Sequence, residues 1–440
     1  MTNQAAILTQ THGPLKIKDL PIPQCHPAEV LVKVKAVATN AADWKIYEGH
    51  FPQDLPILLG CDIVGEISEV GSSVTGFSIG DRVYAIVQTT IKYPLTKSQV
   101  AGYTQQQLTG MQSMLKTGRV ASDLRHGGYQ KYVPMLPRMI FKVPECISDE
   151  IAATFGCSFF TATAAVFKSL GFPYPILASA PPGELEKVLV WGGASAVGAF
   201  AIQLLKASHA EVTAVCSAKS FDYVRSLGAS HVIDYGAGDV VNQVKEQGLG
   251  FRIAFDAISS KETCNACLDI VGEGGKVANV QFLEALRRPN IDLVHTNVVD
   301  ILGESDAEFL SSLIGAWIPK VLSEGTLKGM QFMKYSGGLG DIDRAIRDHR
   351  DGKIAGKGVV SGTQDASPLT SAESCTPSLW EGGRITTGRT AATIEPGRVA
   401  ILAMCCRDPD FEVTQSKARM GMAGLSVFSI LRIESTALGS

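Results

Sequence analysis

The chain has 440 residues, 45% of them hydrophobic and 19% charged, with a mean hydropathy of +0.13, a net charge of −3 and an isoelectric point near 6.3. That length exceeds one ordinary domain and the composition is that of a globular protein with ample core, so two domains are expected. The charge balance carries no electrostatic footprint for nucleic acid or an anionic membrane surface, and neither is expected as a partner.

Met1 to Leu20 has no basic segment followed by a long apolar core, so no secretory signal is read there. Ten cysteines without a compact framework fit free thiols in a reducing compartment, which points to the cytoplasm. Cys264 and Cys267 have the spacing of a redox or metal pair, but they stand in a helix-like stretch far from a second pair and read as packing.

In chain order, Val30 to Val37, Ile63 to Val70 and Arg82 to Val87 are short β-rich runs between Gly and Pro, giving a mostly β barrel or sandwich over residues 1–150. Thr89 to Leu124 is long, polar and mixed, and reads as low-order. Asp149 to Leu170 reads as a helix whose start is favoured by Asp149 and Glu150.

Val188 to Gly198, followed by the apolar Ala199 to Leu205, reads as strand, glycine turn and helix start, the pattern of a dinucleotide phosphate site. The Gly192-Gly193 turn also explains why this uncharged window is not a membrane span. Backbone N–H groups of Gly193, Ser195, Ala196 and Val197 would face a pyrophosphate, and Gly198 lets the helix approach the strand, although Ser195 stands where glycine is usual. A strand over Glu211 to Cys216, a helix over Phe221 to Leu227 and a strand over His231 to Tyr235 extend the alternation. Later strands at Ile253 to Ala257, Lys276 to Val280 and Val298 to Leu302 complete a six-stranded, doubly wound Rossmann domain over residues 151–303.

The loop after the second strand selects the cofactor. Ser217, Ala218, Lys219 and Ser220 provide two hydroxyls and a cation without a carboxylate, which suits the 2′-phosphate of NADPH rather than the ribose hydroxyl of NAD. Tyr235 could pack beside the adenosine or serve only as a strand-end aromatic. Residues 304–360 read as two helices, Asp306 to Leu322 and Asp341 to Asp351, and a strand at Gly356 to Val360 that returns to the first domain. The cleft between the domains is the expected reaction site. Residues 361–440 read as a low-order tail.

Four phrases now stand together: Leu59-Gly60-Cys61-Asp62-Ile63-Val64-Gly65, the Gly80-Asp81-Arg82-Val83 turn, the nucleotide motif, and Leu227-Gly228-Ala229 before Val232-Ile233-Asp234-Tyr235. With them the chain resembles the medium-chain dehydrogenase/reductase superfamily from about Ala5 to Val360, which implies a GroES-like barrel beside the Rossmann sheet. The forms of Gly192 to Gly198 and Cys216 to Leu227 look most like the fungal trans-acting enoyl reductases that serve polyketide synthases. At the positions resembling the superfamily's catalytic zinc ligands the chain has Asn40, Cys61 and Cys157, with Asp62 in place of the usual Glu. An amide is a poor zinc ligand, so no metal is expected and the zinc-independent quinone and enoyl reductase branch is favoured.

The resemblance implies further site residues. Asn40, Ala42, Asp43, Trp44 and Lys45 lie where the cofactor-facing loop would be, with Lys45 at the nicotinamide ribose or relaying a proton, although a loop lysine is often simply solvated. Thr161 matches a position that touches the nicotinamide, and Asn40, Lys45 and Thr161 are the expected catalytic group. Phe155, Gly156, Cys157, Phe160 and Phe282 would line the substrate, although Phe159 and Phe160 read equally as helix packing under the cofactor, and Val359 and Val360 would approach the cofactor. The function expected is NADPH-dependent reduction of an activated C=C in an α,β-unsaturated thioester, carried by a polyketide synthase or free. A quinone or alkenal reductase and a noncatalytic NADP-binding relative are the alternatives. The eight histidines are scattered, and no hydrolytic constellation is found.

Overall fold

A computed structural model of the chain describes residues 2–50, 53–87, 124–175, 185–281, 283, 286–301, 307–363, 384–387 and 390–393. The low-order loop expected from Thr89 lies outside the described residues apart from Leu124, as does most of the expected tail.

The first elements are strands β1 (Asn3–Leu8), β2 (Lys16–Leu20) and β3 (Val30–Ala38), helix α1 (Ala41–Tyr47), then β4 (Ile57–Leu58), β5 (Asp62–Val70), β6 (Arg82–Ile86), β7 (Tyr132–Met135) and β8 (Ile140–Lys142). In β3, Val30, Val32 and Val34 point into the core while Lys33 and Lys35 stay half-exposed, the two-residue period of a strand with one wet face. Its last turn, Ala36 to Ala38, is buried throughout, because another strand covers it.

Two helices follow, α2 (Asp149–Ala153) and α3 (Gly156–Thr163), the second continued by a π-helical turn over Ala164–Ser169. The sequence predicts one continuous helix here; the structure breaks it at Thr154 and Phe155. Ser148 caps α2 by accepting from Ile151 N–H at 3.3 Å, whereas α3 has Phe155 at its N-cap and no cap of its own.

The nucleotide-binding part runs β9 (Lys187–Trp191), α4 (Ala196–Ala207), β10 (Glu211–Cys216), α5 (Phe221–Leu227), β11 (His231–Asp234), α6 (Val240–Glu246), β12 (Ile253–Asp256), α7 (Lys261–Val271), β13 (Lys276–Asn279) and β14 (Asp292–His295). Its six strands are parallel in the order β11-β10-β9-β12-β13-β14. The order reverses between β9 and β12, which opens a crevice at their carboxyl ends.

The sixth strand is not where the sequence places it. Asp292–His295 pairs with β13, and Val298–Ile301 is a 3₁₀ turn. The Asp300 carboxylate accepts from Asn297 N–H at 2.8 Å and winds this apolar run, so its hydrophobicity serves a buried turn around Ile301. Cys264 and Cys267 are both buried on α7, as packing requires.

The chain then forms α8 (Ala307–Ser312), a π turn, α9 (Ile318–Ser323), β15 (Phe332–Tyr335), α10 (Ile342–Arg350) and β16 (Lys357–Ser361). β16 pairs antiparallel with β3, Val359 opposite Ala38 and Val360 opposite Val37, so it joins the barrel sheet β15-β16-β3-β5-β6-β8, with β7 also on β3. An aromatic column ties the barrel to the nucleotide sheet. Phe141 stacks on Phe160 at 5.3 Å, and Phe155 lies 6.2 Å from Tyr84 and 5.0 Å from Phe200 of α4.

Residues 369–440 form a separate unit. Its described residues pair as two antiparallel strands, β17 (Arg384–Thr387) and β18 (Thr390–Thr393). Among the described residues no helix is long and apolar enough to cross a membrane.

Candidate active site

The buried strand β9 ends at Trp191 and the chain turns through Gly192, whose φ of +74° lies in the left-handed region. Ser195 is the N-cap of α4: its hydroxyl accepts from Gly198 N–H at 3.1 Å. That explains why serine stands where glycine is usual, since the side chain satisfies one of the helix's opening N–H groups. Ala196 and Val197, the first two helical residues, keep N–H groups that the helix itself cannot pair. The cradle left by Gly192, Gly193 and Gly198 fits a dinucleotide pyrophosphate on the positive end of the helix.

Beyond β10, Ser217 opens a 3₁₀ turn formed by Ala218, Lys219 and Ser220. Ala218 and Lys219 are exposed, and the Ser217 and Ser220 hydroxyls lie 3.3 Å apart. Tyr235 follows β11 and is 55% exposed, an aromatic face left open at the same carboxyl edge.

A buried polar centre lies beneath the barrel's end of the cleft. The β3–β5 and β3–β16 registers place Asp62 and Val359 on either side of Ala38, so Asn40, Asp62 and Lys357 converge. Lys357 is fully buried, and its ammonium pairs with the Asp62 carboxylate and donates to Asn40 Oδ1 at 2.9 Å. Asn40 Nδ2 donates to Asp62 Oδ2 at 3.0 Å, and Cys157 N–H donates to Asp62 Oδ1 at 2.7 Å. Removing one member of such a pair leaves an uncompensated buried charge, at a cost of about 3–5 kcal/mol.

Asp43 belongs to the same centre. Its Oδ2 accepts from Asn40 N–H at 2.7 Å, which caps α1, and from the Tyr129 hydroxyl at 2.8 Å. Burial pushes its carboxyl up to about 6, with Asp62 adding repulsion and the Asn40 and Tyr129 hydrogen bonds opposing.

The residues expected at the cleft divide into two groups. Ala42, Trp44 and Lys45 are half-buried on α1; Lys45 Nζ lies 5.7 Å from the Trp44 ring centroid, and burial lowers its pKa. Thr161 is 9% exposed and its hydroxyl donates to Cys157 C=O at 2.8 Å. By contrast, Asn40 and Asp43 turn their side chains inward, and Phe155 and Phe160 are sealed in the aromatic column at 1% and 0% exposure. Val359 and Val360 are also fully buried, so their side chains serve the core. Phe282 lies outside the described residues. Lys357 and Tyr129 are the members that sequence reasoning missed. The signal for the first was a lysine between two glycines entering an apolar strand; Tyr129 carried none.

The sequence supports this arrangement from outside. Residues 26–145 match the alcohol dehydrogenase GroES-like domain family, and residues 196–312 the zinc-binding dehydrogenase family. A barrel of this kind beside a Rossmann sheet with a glycine cradle defines a nicotinamide-dependent oxidoreductase, and the chain belongs to the medium-chain dehydrogenase/reductase superfamily. It is 30% identical over 377 residues to a dehydrogenase of Aspergillus niger, covering 82% of this chain and 99% of that one. A trans-enoyl reductase of Aspergillus japonicus is 28% identical over 336 residues, covering 76% and 89%. Among solved structures, the CurK enoyl reductase shares the fold with a TM-score of 0.61 at 18% identity, covering 82% of this chain and 99% of that one.

The zinc named in the second family's description does not fit these residues. Both ends of the Asn40 amide are spent on Asp62 and Lys357, and an ammonium stands against its oxygen. Among the described residues no three His, Cys, Asp or Glu side chains are grouped to hold a metal.

Proposed function

We propose that the protein is an NADPH-dependent, zinc-independent enoyl reductase that reduces the C=C of an α,β-unsaturated thioester, with a polyketide synthase as the partner that carries it. The observation that carries this reading is the Asp62–Lys357–Asn40 centre, which fills the metal positions with a self-satisfied polar cluster. Chemistry that polarises an alcohol on zinc needs three grouped ligands, which the described residues do not offer, whereas conjugate reduction needs orientation and hydrogen bonding alone. The fungal relatives named trans-enoyl reductases support the substrate class.

Bound NADPH supplies the hydride. The Ala196 and Val197 N–H groups would bind its pyrophosphate. Ser217, Lys219 and Ser220 would hold the 2′-phosphate through charge-assisted hydrogen bonds, and Tyr235 would cover the adenosine. Lys45 would hydrogen-bond the nicotinamide ribose and Thr161 would meet the nicotinamide, with Asn40 held from below by Asp62. The aromatic column under Thr161 excludes water from that side.

The test is NADPH oxidation by the full chain on a panel of enoyl thioesters, quinones and alkenals, with and without a chelator. Turnover of thioesters unaffected by the chelator is expected. Turnover of free quinones or alkenals alone would replace this reading by its alternative, binding without turnover would leave a noncatalytic relative, and loss of activity on chelation would restore a metal.

A further inference from the structure

We infer that Lys357 is a positioning residue for the proposed reaction: through Asp62 it fixes the N-terminus of α3, and with it the Thr161 hydroxyl, against Asn40. This rests on the function proposed above only for the role of Thr161. The mechanical part stands on geometry.

α3 starts at Gly156 behind Phe155, a residue with no side-chain oxygen to satisfy the first N–H groups. The missing cap comes from another element. Asp62, at the start of β5, places Oδ1 2.7 Å from Cys157 N–H, and it reaches that spot because Gly156 is bare: a β-carbon there would lie 2.1 Å from Oδ1. The other oxygen, Oδ2, receives Asn40 Nδ2 and the Lys357 ammonium. Lys357 also donates to Asn40 Oδ1 at 2.9 Å, so lysine, carboxylate and amide close a ring of three hydrogen bonds with no exposed member.

The line continues beyond the ring. Cys157 carries its N–H to Asp62 and its C=O to the Thr161 hydroxyl at 2.8 Å, one helical turn on. The place of Thr161 is therefore tied to β16, near the end of the barrel sheet, through one chain of hydrogen bonds. A buried ion pair is a weak source of stability, and apolar residues of similar volume commonly replace one without loss. What such residues could not do is hold a carboxylate on one helix terminus and an amide on another in fixed orientation.

The experiment is the double variant D62L/K357M in the full chain, which removes both charges together, leaves neither unpaired and takes the acceptor away from Cys157 N–H. The positioning role predicts NADPH affinity within about threefold of wild type and a kcat for the enoyl thioester lowered about tenfold or more, with KM changing little. The deuterium isotope effect with NADPH labelled at the transferred hydrogen rises as hydride transfer becomes rate-limiting. Amide hydrogen exchange at Cys157 and along α3 is read in the same samples and becomes faster, a result that needs no substrate. If the double variant does not fold, G156A gives the same readouts by pushing a methyl group into Oδ1 with every charge retained.

Wild-type kcat in the folded variant, or a fall in kcat with unchanged exchange at Cys157, overturns the inference. A wild-type protein that reduces no enoyl thioester instead overturns the proposed function, and the exchange result then decides the positioning alone.

Discussion

Gly198 sits so close to Gly192 that a β-carbon on it would lie 2.2 Å from the Gly192 carbonyl oxygen. The first turn of α4 is thereby pressed onto the end of β9, which aims the opening N–H groups at the carboxyl edge of the sheet. Gly198→Ala forces that carbonyl away, a backbone clash worth about 2–3 kcal/mol. NADPH titration by fluorescence is expected to show Kd raised roughly 30- to 100-fold; an unchanged Kd would remove the phosphate from this turn.

In the proposed function Lys219 separates the two nicotinamide nucleotides. It is exposed on the turn after β10, and a hydrogen bond to a 2′-phosphate is worth about 1.5–3 kcal/mol. Lys219→Ala should therefore weaken NADPH binding about tenfold or more and leave NADH within roughly threefold. Equal losses for both nucleotides, measured by the same titration, would place the phosphate elsewhere.

Asp43 makes neutral pH a burden on the fold. Its carboxyl titrates at about 6 in the folded state, above the ~3.9 of an unfolded Asp, so the native state binds the proton more tightly. Stability from this group is full below pH ~4 and falls as pH rises through 6, by about 3 kcal/mol in all. Asp43→Asn keeps an oxygen for Tyr129 and Asn40 N–H, and urea midpoints should lose that fall between pH 4 and 6. Parallel profiles for variant and wild type would contradict it.

His349 acts in the opposite sense. Burial first, then the nearby Lys357 charge, lower its imidazole to about 4, with Nδ1 3.1 Å from Thr39 Oγ1. Unfolded histidine titrates near ~6.5, so this contribution is complete above that pH and is lost as pH falls through 4, by about 3 kcal/mol at most. His349→Gln should flatten the acid limb of the same urea series between pH 6.5 and 4. A steeper limb would show that the imidazole is charged in the native state.

Much of this architecture was legible because its signals are local. The strand at Glu211 to Cys216 and the helix at Phe221 to Leu227 fall where the sequence places them, since alternation and a glycine C-cap report on neighbours within a few residues. Val298 to Leu302 misled because apolarity alone does not separate a strand from a buried 3₁₀ turn, and the deciding contact is a side chain, Asp300, closing on Asn297.

The site's centre was less so. Asn40 and Asp62 stood out as departures from a zinc pattern, but what satisfies them is a lysine more than 290 positions away in sequence. Pairing of that kind depends on strand register, which no local periodicity encodes. Phe155 and Phe160 show the converse. Aromatics on such a helix read as pocket wall or as packing, and the facing rings of Tyr84, Phe141 and Phe200 show them packed in the core.

The return of β16 to β3 bears on how the molecule is made. On the ribosome the entire nucleotide-binding sheet emerges before Lys357 does, so the barrel must wait, with Ala36 to Ala38 of β3 lacking their β16 partner and Asp62 without its counter-ion, until residues 357–361 leave the exit tunnel. Translation thus supplies every strand of the nucleotide-binding sheet first and closes the buried Asp62–Lys357 pair last.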